Sequence, residues 1–330
     1  MRGIVRAWRD LTGGRSRRVA DRDRRTLIAC SAGADSSALA IALASATSEL
    51  VIGHVVHDLR PRDVALADRD AARELSAGLG IAFVEDVVEV ASLRGNAEAN
   101  ARRARYRSLA ALAAKTGCPF VASAHSADDE LETVLMGLVR GAGPRGMAGI
   151  ARSRPVGDAT LIRPMAGSSR ADSEAVCSLA GWVWREDQTN LDTTRLRAAI
   201  RHEVAPLLAA LRPGVASRVS RSAALLRDAA GLIDDRVSEL WERRDESDGT
   251  VLWERSIVGK ERKIVIGALL RRAIVHLNGE RRLDRMGWQA LSGCIDAACD
   301  DESQPRRFEL SGASVSVDAR RIQVTRDSST

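Results

Sequence analysis

Along the first half of the chain, short apolar runs alternate with stretches of helical periodicity. Residues 26–30 form a compact apolar run, and after a small polar loop residues 36–48 read as a helix. The alternation then repeats. A run at 50–57 precedes an amphipathic helix around 63–78, a run at 81–90 precedes a helix over 97–116, and a run at 120–124 enters a helix near 127–139. Such strand–helix alternation predicts an α/β fold with a doubly wound, mostly parallel sheet, whose ligands gather at the carboxyl ends of the strands.

The second half has a different rhythm. A Gly/Pro-rich loop at 141–149 leads to a short strand near 160–164 and a helix near 170–180. Helical periodicity dominates 196–211 and 215–241, with Arg212-Pro213-Gly214 as the breaker between them. The tail alternates Phe308, Leu310, Val315, Val317, Ile322 and Val324 around Asp318-Ala319, which predicts a closing β-hairpin. The expected organisation is a basic N-terminal extension (1–25), a catalytic α/β domain (26–211) and a smaller helical domain (212–330) ending in that hairpin.

Composition narrows the class. With 45% hydrophobic but only 3% aromatic residues among 330, the core must be built from Ala, Val, Leu and Ile. No apolar run approaches the ~20 residues that span a bilayer. Residues 1–25 lack an apolar signal core, and Asp10, Asp21 and Asp23 suit a transit peptide poorly, so a cytoplasmic enzyme is expected. Five cysteines with no CxxC pair read as free thiols, not zinc ligands. A net charge of +6 favours a polyanionic partner. Only Lys115, Lys260 and Lys263 are lysines, however, and an arginine excess can also reflect genome composition.

Two segments carry chemistry. Ser31-Ala32-Gly33-Ala34-Asp35-Ser36 lies between a strand and a helix, where small residues let backbone N–H groups and a helix N-terminus converge on an anion. A carboxylate beside phosphates needs a cation between them, and Mg²⁺ accepts one or two carboxylates plus phosphate oxygens, which suits Asp35. Taken alone, the segment is also compatible with an ordinary capped turn. The second segment, His125 to Thr133, places Asp128, Asp129 and Glu132 on one face of the first helical turns. They either complement the helix N-terminus or wall a pocket for a metal or an ammonium group. Gly141-Ala142-Gly143-Pro144-Arg145-Gly146 fits GxGxxG but follows a helix and contains proline, so it is no dinucleotide site, and GxxxxGK[ST] does not occur.

Together with further segments in the same order, the chain resembles the tRNA(Ile)-lysidine synthases, members of the PP-loop (N-type ATP pyrophosphatase) group. The resemblance runs from residue 26 to about 225. Their SGGxDS signature corresponds to Ser31–Ser36, HGLR to His57-Asp58-Leu59-Arg60, and N-x-E…AR…RY to Asn96, Glu98, Arg102, Arg105 and Tyr106. HxADDxxET corresponds to His125–Thr133, RGxGxRG to Arg140–Gly146, and RPL to Arg163-Pro164. A D-x-[ST]-N-x-D loop matches Asp187–Asp192, and RNxIR matches Arg197 to Arg201. Ala32 and Asp58 replace glycines, Pro144 a leucine and Ala198 an asparagine. Ala32 keeps its N–H and is harmless where its φ is negative.

The resemblance implies ligation of lysine to C2 of the wobble cytidine of the CAU-anticodon tRNA(Ile), through an ATP-derived adenylate. It implies ATP bound at Ser31–Ser36, Mg²⁺ with its pyrophosphate portion at Asp35, and free L-lysine held by Asp129 and Glu132, with Asp128 second. His57, Arg60, Arg102, Arg105, His125, Arg140, Arg197 and Arg201 are implied substrate contacts. The competing readings are a tRNA 2-thiolation enzyme of the same group, disfavoured by the missing cysteine pairs, and a degenerate tRNA-binding module.

Overall fold

A computed structural model of the chain describes all residues except 14–18, 60, 96, 186–195, 280–286, 301–303, 311 and 328–330. The chain packs as two compact units, Met1–Met136 with Gly149–Ala223, and Gly137–Ala148 with Ala224–Thr330.

The first unit is built on a six-stranded sheet of β1 (Thr26–Ala29), β2 (Leu50–His57), β3 (Ala82–Val88), β4 (Phe120–Ala122), β5 (Ser153–Val156) and β6 (Ala159–Ile162), in the order β3-β2-β1-β4-β6-β5. All neighbours pair in parallel except β5, which runs antiparallel to β6 at the edge. Pro155 lies in that edge strand, where a missing N–H breaks no inner ladder. Leu27 and Ile28 of β1 are fully buried on opposite faces, as a central parallel strand requires. The chain winds outward from β1 to β3 and then crosses to β4 on the other side of β1. That reversal opens a crevice at the carboxyl ends of β1 and β4.

Helices cover both faces. α2 (Ala34–Ala44) and α3 (Arg62–Leu79) pack Leu39, Leu43, Ala72 and Leu75 against Ile28 and Ile52 on one side. α4 (Ala97–Thr116) packs Leu109 and Leu112 against Leu27 and Val51 on the other. α5 (Ala127–Val139) leaves β4 at the crevice, and α7 (Arg170–Leu179) follows β6 with a capping box between Ser169 and Asp172.

The N-terminal residues are part of this core. α1 (Arg2–Gly13) buries Ile4, Val5 and Trp8 among the residues of α2, and the Trp8 indole donates to Thr26 Oγ1 at 3.0 Å. The buried Arg24 guanidinium ties the segment down through the carbonyls of Arg9 and Val19, each at 2.9 Å. The arginine content drew the sequence reading toward a basic extension, whereas the apolar stripe at 4, 5 and 8 decides the structure.

The first unit also extends past residue 211. The segment read as one helix over 196–211 comprises α8 (Leu196–Ala199), a π-helical turn (Ile200–Val204) and α9 (Ala205–Leu211). Ala216 and Val219, at the start of α10 (Val215–Trp241), pack with Leu208 on Ala127 and Leu131 of α5. The Ser220 hydroxyl donates to the Ala166 carbonyl at 2.9 Å.

In the second unit, β7 (Asp245–Ser247), β8 (Thr250–Glu254), β9 (Arg306–Leu310), β10 (Ala313–Val317) and β11 (Arg321–Arg326) form an antiparallel sheet in the order β7-β8-β11-β10-β9. The expected tail hairpin is β10–β11, with β8 and β9 on its two flanks. α11 (Arg255–Val258), α12 (Lys263–Asn278) and α13 (Trp288–Cys299) complete the unit, whose core includes Trp241, Trp253, Leu269, Ile295 and Val324. The short helix α6 (Pro144–Met147) belongs here, with Arg145 paired to Asp234 at 2.7 Å. Among the described residues no helix is long and apolar enough to cross a membrane.

Because Trp8 is fully buried and hydrogen-bonded, Trp8→Ala should destabilise the first unit by about 3–5 kcal/mol. Urea unfolding followed by far-UV circular dichroism measures this. A loss below about 1 kcal/mol would show that α1 contributes little to the core.

Candidate active site

β1 ends at Ala29 and α2 begins at Ala34, with Gly33 extended just before it. Ser36 closes the loop between them. Its hydroxyl accepts from the Ser31 N–H and donates to the Gly33 carbonyl, both at 3.1 Å, and it lies 3.3 Å from the Ser31 hydroxyl. The loop thus presents the uncapped N–H groups of the first turn of α2 at the head of the sheet, where an anion is favoured.

Ala32 departs from the condition set by its sequence. Its φ is +61°, in the left-handed region, so the methyl that replaces the family's glycine is strained. That conformation costs a non-glycine residue roughly 1–2 kcal/mol. The Ala32 side chain is fully buried in the apolar core beside α2, and burying one methyl returns about 0.8 kcal/mol. Its carbonyl accepts from the Arg185 N–H at 3.0 Å, which helps hold the turn.

Asp35, in the first turn of α2, is half-buried, and its buried Oδ1 has no hydrogen-bond partner. Burial pushes its carboxyl above the usual range, a hydrogen bond from Ser173 opposes this, and the charges of Asp129 and Asp128 push it further up. A carboxylate kept this way is a poor structural element and a ready ligand for a cation.

The acidic residues of α5 have separate tasks. Glu130 is buried and accepts the Ile150 N–H at 3.1 Å. Any side chain at Gly149 would collide with it, as a Cβ there would lie 2.2 Å from Glu130 Oε1. Asp128 accepts the Arg170 N–H at 2.7 Å. Asp129 accepts the Ser126 N–H at 3.0 Å through one oxygen. Its other oxygen takes Arg197 Nη2 and Arg201 Nη2, each at 3.2 Å. Glu132, with its side chain only 3% exposed, accepts Arg197 Nε at 2.8 Å and Arg201 Nε at 2.5 Å. The two arginines on α8 and the π-turn therefore sit on the carboxylates that the sequence reading left open for an amine.

One cavity of about 360 Å³ joins these groups. Ser31, Asp35 and Ser36 line it from the loop, His57 from β2, Arg105 from α4, His125 and Asp129 from the β4–α5 junction, and Arg201 from the far side. Glu132 and Arg197 adjoin it through their bonds to Arg201 and Asp129. Arg102 is exposed on α4. Arg140 is exposed and belongs to the second unit. Arg60, Asn96 and the 187–192 loop lie outside the described residues, and so does the side chain of Glu98.

Residues 12–208 match the family model of the PP-loop domain, which implies ATP binding. The chain is 38% identical over 216 residues to the tRNA(Ile)-lysidine synthase of Salinispora arenicola, covering 64% of this chain and 65% of that protein. It is 38% identical over 230 residues to the tRNA(Ile)-lysidine synthase of Salinispora tropica, covering 68% of each. The chain belongs to the tRNA(Ile)-lysidine synthase family. It matches about two thirds of the length of those two relatives and roughly half of longer ones. Among solved structures, the U34-tRNA thiolase NcsA from Methanococcus maripaludis, determined with its [4Fe-4S] cluster, superposes with a TM-score of 0.54 at 18% identity. That match covers 68% of this chain and 79% of that one, and it is a likeness of fold.

The structure accounts for two departures from the family's motifs. Asp58 holds the N–H groups of Val90 and Ala91 at 2.8 and 3.1 Å, tying the end of β2 to the segment after β3. Pro144 opens α6 at a first-turn position, where its missing N–H costs nothing. Ala198 lies between the two arginines in sequence, and both reach their carboxylates without a side-chain amide there.

His54 is a cavity residue that the sequence reading missed. Its Nδ1 lies 2.8 Å from the Cys30 carbonyl, an acceptor only, so Nδ1 carries the proton and Nε2 keeps its lone pair. Burial holds its pKa below the ordinary histidine value. A histidine in the middle of the apolar run of β2, three residues before His57, was the available signal. His125, beside the Ser123 hydroxyl at 3.0 Å, is likewise neutral, its pKa pushed down to about 4 by burial. Asp129 opposes that shift, while Arg163, Arg102 and Arg197 add to it.

The raised Asp35 carboxyl sets a sign. A carboxyl whose folded pKa exceeds its unfolded value stabilises the fold most when protonated, and that contribution is lost as pH rises through the folded pKa. In chelator-treated, nucleotide-free protein, Asp35→Asn should therefore raise the thermal midpoint at pH 7. The gain should vanish as pH falls below the ordinary carboxylate range. A variant less stable than the parent at pH 7 would contradict the assignment.

Proposed function

We propose that the protein ligates lysine to C2 of the wobble cytidine of a CAU-anticodon isoleucine tRNA, consuming ATP and releasing AMP and pyrophosphate. The observation that carries this reading is the cavity in which an anion-seating loop, a partnerless buried carboxylate oxygen on Asp35 and the acidic wall of Asp129 meet. The names of the relatives support the choice of tRNA and product.

The chemistry follows from a poor leaving group. The cytosine O2 attacks the α-phosphorus of ATP, the bond to the β-phosphate breaks, and pyrophosphate leaves with the electron pair. The lysine ε-amine then adds to C2, the C2–O bond breaks, AMP departs with that oxygen, and the nitrogen sheds a proton. The loop from Ser31 to Ser36 seats the triphosphate and stabilises charge growing on it, the contribution that usually dominates such catalysis. Asp35 fits a Mg²⁺ ion, since its Oδ1 is buried without a partner. No group of three or more His, Cys, Asp or Glu side chains suited to a metal occurs among the described residues. When bound, Mg²⁺ would neutralise the pyrophosphate portion.

The amine, with an ordinary pKa of about 10.4, arrives as an ammonium ion. Asp129, the more exposed of the two paired carboxylates at 17% against 3% for Glu132, is its first contact. The ammonium exchanges there for a guanidinium of Arg197 or Arg201. The Asp129 carboxylate, which lines the cavity and holds the ammonium, is placed to help remove the proton that the amine must lose. The tRNA backbone is gripped by exposed arginines such as Arg212, Arg218 and Arg221, whereas Arg227 donates to the Ala148 carbonyl at 2.6 Å. A 2-thiolation enzyme would need paired cysteines, and the sequence has no CxxC pair.

Incubation with ATP, labelled lysine and unmodified tRNA should yield AMP, pyrophosphate and a lysine-bearing nucleoside, read by chromatography and nucleoside mass spectrometry. Stoichiometric ADP and orthophosphate would overturn the reading. Asp129→Asn should raise the KM for lysine by about 10-fold, the scale of one charge-assisted contact, and leave the KM for ATP nearly unchanged. Equal shifts in both would remove Asp129 from the amine site.

A further inference from the structure

Beside the cavity lies a group of arginines without the counter-charges found elsewhere in the first unit. On α4, Arg102 and Tyr106 stand one turn apart, with the Arg102 guanidinium 5.3 Å from the ring centroid. From β5, Arg154 lies over the same ring at 4.5 Å. Arg163, directly after β6, is 2% exposed and stands at the Tyr106 side chain. Its Nη1 donates to the Ala151 carbonyl, and its Nε is buried with no hydrogen-bond partner. None of these three guanidinium groups forms an ion pair with a carboxylate of the described residues, whereas Arg185 holds Asp68 at 2.8 Å.

Three cations around one ring repel one another. Burial lowers the Arg163 pKa, Tyr106 opposes this, and Arg154 and Arg102 lower it further. Exposed cation–π contacts return only about 0.5–1 kcal/mol each. Such an arrangement is useful to the molecule when an anion joins it. Guanidinium forks match phosphate oxygens two at a time. With Arg102 and Arg154 already at the Tyr106 ring, a stacked base is a poor fit. The ATP phosphates already have the loop from Ser31 to Ser36. Tyr106 itself lines the cavity, which places the group at its edge.

We propose that Arg102 and Arg154, assembled around Tyr106 beside the buried charge of Arg163, seat a phosphodiester of the RNA chain next to the nucleotide that enters the cavity. The seat rests on the functional reading above for the identity of that RNA, and on its own geometry for the phosphate.

The test uses full-length protein, Arg102→Gln, Arg154→Gln and the double variant. The probes are an unmodified CAU-anticodon tRNA transcript, octauridylate and a fluorescent ATP analogue, titrated over a range of sodium chloride. Each single variant should weaken both RNAs several-fold and flatten the log–log salt slope by about 0.7, the value for one single-strand phosphate contact. Affinity for the ATP analogue should stay within twofold, and the thermal midpoint should hold or rise as repulsion is relieved. An unchanged RNA slope overturns the proposal. A parallel loss of ATP affinity also overturns it, by assigning the arginines to the triphosphate. A lowered midpoint with an unchanged slope would make them a structural clamp. The readings separate through octauridylate. If its slope flattens in the variants but no tRNA is modified by the parent, the seat stands and the lysidine reading falls. If the parent binds neither RNA, the seat falls as well.

Discussion

Negative charge concentrated at the head of one sheet is the constraint on which the first unit turns. The reversal between β1 and β4 brings Asp35 from one helix start and Asp128, Asp129 and Glu132 from another to the same crevice. Four carboxylates so close cannot all remain ionised in a partly dry site without compensation. Asp128 and Asp129 draw on backbone N–H groups, and Asp129 and Glu132 on two arginines. Asp35 receives the least and titrates upward. The helix α8 and its π-turn are held where they are because the acid of α5 requires them.

What the sequence disclosed of this was its local part. The strand, the Ser31–Ser36 loop and the helix after it are contiguous, and so is the acidic turn of α5, so pattern and spacing suffice to read them. Arg197 and Arg201 were visible as a motif, but their pairing with residues 65 to 72 positions earlier is a property of the folded chain. The left-handed turn at Ala32 was hidden for another reason, since alanine gives no sign of a positive φ. His54 was overlooked because a histidine in the middle of an apolar run is a faint mark until its ring is seen to line a cavity.

The ends of the chain were harder to read than its middle. At the N-terminus a high arginine content masked three apolar residues that insert into the core. In the second unit the C-terminal alternation revealed β10 and β11, but β7 and β8 are short, and they join the sheet only because β11 pairs back to β8 across about seventy residues. Non-local strand pairing of this kind leaves little trace in any single window of sequence.

The identity of the cations at the acidic wall carries a consequence for chemical fidelity. An arginine side chain keeps its proton at any physiological pH and offers no free electron pair. A lysine at position 197 or 201 would balance the charge of Glu132 equally well. It would also bring a tethered primary amine to a site proposed to activate a carbon toward amines, where it would compete with the free substrate and could end as a protein–RNA crosslink. By neutralising its carboxylates with guanidinium groups, the protein keeps its own side chains out of the reaction it is proposed to perform.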